Sequence, residues 1–68
     1  MQNFERFAES SAKAFRNDAD RAAKRAVELI SEGQYAAASD AIVDAVRYDV
    51  LAKEYEFVVE SYDVMEDA

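Results

Sequence analysis

The chain of 68 residues contains no cysteine, no histidine, no proline and no tryptophan, and it has a single glycine. Each absence excludes something. Without cysteine there is no disulfide, and without cysteine and histidine the usual ligands for zinc, copper and iron are missing. The five serines (Ser10, Ser11, Ser31, Ser39, Ser61) have no imidazole to activate them. One glycine cannot build a phosphate-cradling loop. No apolar run exceeds four residues, as in Tyr35-Ala36-Ala37-Ala38, which is far short of the ~20 a membrane-spanning helix needs. The first residues lack the basic-then-apolar order of a secretory signal. A soluble, cytoplasmic protein is the expectation, with no metal, no cofactor and no enzymatic activity. A domain this small buries only about 60% of its unfolded surface. With no disulfide or metal to help, oligomerisation or very close helix packing must supply the rest.

Half of the residues (51%) are hydrophobic and 34% are charged, a composition that folds. The charge is unevenly placed. Residues 1–33 hold six basic and six acidic side chains, whereas residues 34–68 hold two basic and nine acidic ones, so the whole net charge of -7 lies in the second half. Direct binding to nucleic acid or to an anionic membrane is disfavoured, because both need the opposite sign. A basic protein surface is the partner this charge suits.

Helix-forming residues dominate, and the only strong punctuation is Ser31-Glu32-Gly33-Gln34, near the midpoint. Gly33 is placed to take the left-handed conformation that ends a helix. In the first half Phe4, Ala8, Ser11, Phe15, Ala19, Ala22, Ala26 and Ile30 recur every three or four residues, which marks a core-facing stripe. Asn17 could cap a fresh helix, with Asp20 three residues on. The stripe runs through this point in register, which favours a continuous or slightly kinked helix over a break. In the second half Tyr48, Leu51, Tyr55, Val58, Tyr62 and Met65 form a heptad seam, widened by Ala52 and Val59 and extended upward by Ala38, Ala41, Ile42, Ala45 and Val46. The expected fold is all-α: a hairpin of two long helices turning at Gly33, a single domain over 1–68, completed by self-association. The alternative is a three-helix bundle broken near Asn17.

A second apolar row sets the second helix apart. Val43, Val50, Phe57 and Val64 repeat every seven residues and lie roughly 160–200° from the seam. A hairpin helix buries one face only, so this row must meet a third helix of the same chain or a separate molecule. Beside it, Asp49, Glu56, Glu60, Asp63 and Asp67 form an acidic strip about 27 Å long, interrupted only by Lys53. Like charges at these spacings disfavour a helix by about 0.2–0.5 kcal/mol per pair. The strip is either a solvated face or a docking strip for basic groups, and the expected partner-binding set is Asp49, Val50, Glu56, Phe57, Glu60, Asp63, Val64 and Asp67. The basic cluster Arg16, Arg21, Lys24 and Arg25 is expected to pair within its helix or with the acidic second helix. Asp18-Ala19-Asp20 opens like a calcium loop, but Ala23 and Leu29 stand where its glycine and glutamate belong.

Two resemblances add to this reading. Ala26, Gly33, Tyr35, Ala38 and Ala45 match the small-residue, Gly-x-Tyr-x-x-Ala and second-helix alanine positions of tetratricopeptide-like repeats, over about twenty residues. The turn is also similar to that of the microtubule-interacting-and-trafficking domain. Ala22, Arg25 and Val50 depart from the repeat pattern, so the resemblance implies a local helix-turn-helix shape and no function. In general character, a short, cysteine-free, acidic, all-helical chain resembles phage-encoded inhibitors of host defence, including anti-CRISPR proteins and DNA mimics. That likeness implies an inhibitor acting in the host cytoplasm on a basic, nucleic-acid-binding surface. The alternative is a structural or regulatory helical dimer, or a small adaptor, with no inhibitory role.

Overall fold

The computed structural model describes residues 2–67, and the side chains of all of these except Gln2, Asp63, Met65, Glu66 and Asp67. Two helices fill that span, α1 (Gln2–Ser31) and α2 (Tyr35–Asp67). They fold back on each other as an antiparallel hairpin. The result is a rod of 52 × 16 × 13 Å with a radius of gyration of 15.4 Å, against about 11 Å for a compact domain of this length. Neither helix is long and apolar enough to cross a membrane.

The turn forms where the sequence places it. Gly33 has φ +76°, and two bonds close the end of α1 around it. The Gly33 N–H donates to the Ile30 carbonyl at 3.0 Å and the Gln34 N–H to the Leu29 carbonyl at 2.9 Å. This is the Schellman pattern, which satisfies carbonyls that the helix itself leaves unpaired. The Gln34 carbonyl then accepts from the Ala38 N–H at 2.9 Å and starts α2.

Helix α1 is continuous through Asn17, so a three-helix bundle does not form. Neither proline nor glycine is present to break the helix there. Phe15, Ala19 and Ala22 keep their places against α2 on both sides of Asn17, and Arg21 pairs with Asp18 at 3.3 Å across one turn of α1.

The contact between the helices is a seam of small residues. On α1 the inward positions are Ala8, Ala12, Phe15, Ala19, Ala22, Ala26 and Leu29; on α2 they are Ala38, Ala41, Ala45, Tyr48, Ala52, Tyr55, Val59 and Tyr62. Both sets alternate steps of four and three, the heptad a/d pattern of coiled helices. Several expectations change accordingly: Phe4, Ile42 and Val46, expected on the inward stripes, are 50%, 47% and 57% exposed. Ala12 takes the buried place expected for Ser11, and Leu29, 4% exposed, takes that of Ile30, which is 46% exposed. On α2, Ala52 is completely buried while Leu51 and Val58 are only half-buried at the flank. The smallest side chains sit where the backbones approach most closely, and bulkier neighbours are pushed to the edge. Among the described residues no large side chain is fully buried.

Two substitutions test this account. Gly33→Ala leaves free space around the new Cβ but holds alanine in the left-handed region, so it should destabilise by about 1 kcal/mol or more. Ala52→Leu should force the helices apart, lowering stability by about 1–3 kcal/mol. Thermal and denaturant unfolding followed by circular dichroism read both values.

Candidate interaction surfaces

The seam divides the rest of the rod into two flanks and the outward faces of the helices. In an antiparallel pair the heptad positions before and after the seam meet their own kind across it, g facing g and e facing e. The contacts of Arg16 bear out that assignment on the e flank.

The first flank is ionic. Arg16, at e of α1, reaches over to two e residues of α2. Its Nη1 lies 2.6 Å from Asp49 Oδ1, its Nη2 3.0 Å from Glu56 Oε1, and its Nε donates to Glu56 Oε2 at 3.3 Å. The bond to Glu56 is therefore a two-pronged fork. Lys53 Nζ adds a contact of 3.1 Å to Asp49 Oδ2. The hydrogen bond from Arg16, reinforced by the one from Lys53, holds the Asp49 carboxyl below the usual carboxylate range. Donation to Glu56, then to Asp49, raises the Arg16 guanidinium above its already high ordinary value. Beside this clamp lies an open groove of ≈ 500 Å³ lined by Glu9, Ala12, Lys13, Arg16, Asn17, Glu56, Val59 and Glu60.

The acidic strip is thus divided. Asp49 and Glu56 are engaged by α1, and Glu60 points to solvent. The side chains of Asp63 and Asp67 lie outside the described residues. Three of the four basic-cluster residues are engaged as expected, Arg16 with α2 and Arg21 and Arg25 with Asp18 and Glu28 on their own helix.

The second flank is aromatic. Five ring pairs run from the middle of the rod to the end away from the turn: Phe4–Phe7, Phe4–Tyr62, Phe7–Tyr55, Phe15–Tyr48 and Phe15–Tyr55, with centroids 5.7–6.3 Å apart. Phe4 is 50% and Phe7 55% exposed. Ala14, Leu51 and Val58 share this flank. Its concentration of rings emerges only when the two helices are set in register, because Phe7 lies off the α1 stripe.

The outward row of α2 is the third surface. Val43, Val50, Phe57 and Val64 occupy the f positions, opposite the seam, and all four are exposed, Phe57 and Val64 at 69% each. Among the described residues no third helix covers them. Ser61 Oγ donates to the Phe57 carbonyl at 2.9 Å, which occupies the serine hydroxyl within the helix.

No protein-family model, curated protein or solved structure matches the chain.

The clamp predicts a pH signature. A carboxyl held below its unfolded value adds stability at pH above the unfolded pKa of about 3.9, and that stability is lost as the pH falls through the folded value. In Arg16→Met, nuclear magnetic resonance titration should show Asp49 moving up towards the ordinary range. The acid limb of stability against pH should flatten, because the folded and unfolded values of Asp49 approach each other.

Proposed function

We propose that the chain is a protein–protein interaction module that docks the outward face of α2 on a basic protein surface. Supporting it above all is the exposed row Val43, Val50, Phe57 and Val64, which the fold does not use, on a helix whose buried positions are mostly alanine. Apolar rows on opposite sides of one helix belong to helices that sit between neighbours. Phe57 is the natural anchor, as buried aromatics supply most of the affinity of small interfaces.

Charge specifies the partner. Asp49 and Glu56 are committed to Arg16, so the described residue of the strip available to a partner is Glu60 beside Phe57. The last turn of α2 contains no basic residue, and Glu66 and Asp67 sit near the negative end of the helix dipole, where acids disfavour a helix. A basic partner offsets that penalty. In its narrower form the proposal is an inhibitor of phage type, occupying a surface of its target that otherwise binds nucleic acid. The second reading, a structural or regulatory dimer without inhibitory function, is favoured by the aromatic flank.

Affinity capture with the intact chain, followed by mass spectrometry, identifies the partner, and binding kinetics then separate anchor from charge. Phe57→Ala should raise the dissociation rate, with a loss of about 2 kcal/mol or more at a hot spot. Glu60→Gln should instead lower the association rate and flatten its dependence on salt. It is preferable to neutralising Glu56, which would also break the Arg16 clamp. Unchanged kinetics in both variants would sink the proposed surface.

A further inference from the structure

We infer that two copies of the chain associate through the aromatic flank, with their turns at the same end, leaving the outward row of each α2 free. The surface is distinct from the one proposed for the partner. Phe4, Phe7, Ala14, Leu51 and Val58 face one side of the hairpin, and the two phenylalanines expose half of their surface. One broad side of a rod 52 Å long and 16 Å wide offers roughly 800 Å², the area each partner buries in a standard stable interface. Stacking two such sides makes a four-helix bundle, the usual way for paired hairpins to enclose a core.

The pattern along the flank selects the arrangement. Its far half carries the rings. Its half near the turn carries Asp18, Arg21, Arg25 and Glu28 on α1, where Arg21 pairs with Asp18 and Arg25 with Glu28, and Asp40, Asp44 and Arg47 on α2. Two hairpins can stack face to face about a two-fold axis along the rod or about one across it. With the axis along the rod, rings meet rings, and α1 of each copy lies on α2 of the other. The half of the sequence with no net charge then covers the half that carries -7. Arg25 comes level with Asp40 and Asp44 of the second copy, and Asp18 with Arg47 of the second copy. With the axis across the rod, acidic α2 lies on acidic α2. Full overlap then sets rings against charges, and overlap of the rings alone roughly halves the contact.

Sedimentation equilibrium on the full chain should show a dimer at micromolar concentration. Ala14→Glu puts a charge on this flank at an exposed position and removes no packing, so the helices should remain by circular dichroism while the dimer dissociation constant rises about tenfold or more. Phe7→Ser should act in the same direction, and Phe57→Ala should leave the dimer unchanged. The chain has no cysteine, so Glu32→Cys carries one spin label per copy. Turns at the same end place the two labels roughly 20–30 Å apart, from a packing distance of about 10 Å between helices plus the label arms. Turns at opposite ends place them about one rod length, 52 Å, apart or farther. A monomer throughout, a dimer sensitive to Phe57→Ala but not to Ala14→Glu, or the longer label distance would each overturn the inference. Failure here leaves the docking of α2 on a basic partner standing, since that is read with the partner and not with a second copy.

Discussion

The close approach of two helices along a row of alanines governs everything else in this molecule. Alanine costs no side-chain entropy on burial and is the best helix former, so alanine on the inner side of each helix favours the helical conformation at little entropic cost. Contact between short side chains brings the backbones together, but each alanine removes little apolar surface from water. The seam therefore defines the pairing and its register more strongly than it stabilises the pair. Two features compensate. The Arg16 clamp ties the middle of α1 to α2, and the rings fill the flank at the open end.

The fold was largely legible in the sequence, because its main signals are local. A lone Gly33 between helix-forming halves, with no proline anywhere, leaves few alternatives to a hairpin. The details of the seam were less legible. Counting 100° per residue selects Ser11 and Ile30, whereas a seam held in contact over many turns follows a repeat of 3.5 residues and selects Ala12 and Leu29. The drift between the two periods is about 20° per heptad. On α2 the bulk of Leu51 and Val58 draws attention from Ala52, yet the tightest contact needs the smallest side chain. The exposed row on α2 was readable, since a seven-residue repeat away from the seam shows without knowledge of a partner. The Arg16 clamp was not readable residue by residue, because its partners lie more than thirty positions away and depend on the register. The same holds for the position of Phe7 against Tyr55.

Charge and bulk are divided over the surface in a consistent way. At the open end the ionic groups occupy one flank and the rings the other. Near the turn the flank that carries rings elsewhere is charged, and exposed aliphatics (Val27, Ile30, Ile42 and Val46) lie on the opposite side. The outward row of α2 stands apart from both flanks. Each surface thus has its own chemistry, and one can be altered without dismantling the others. The exception is Glu56, which joins the acidic strip to the inter-helix clamp.

The short turn also shapes how the hairpin closes. Leu29 and Ala38, packed together beside Gly33, are separated by a small loop, whereas Phe4 and Tyr62 are nearly the whole chain apart. Loop-closure entropy grows with separation, so contacts form in order from the Schellman turn outward, each pair shortening the loop for the next. The hairpin behaves as a zipper with its slider at Gly33. The aromatic end, which holds the largest side chains, is the last to close and the first to open.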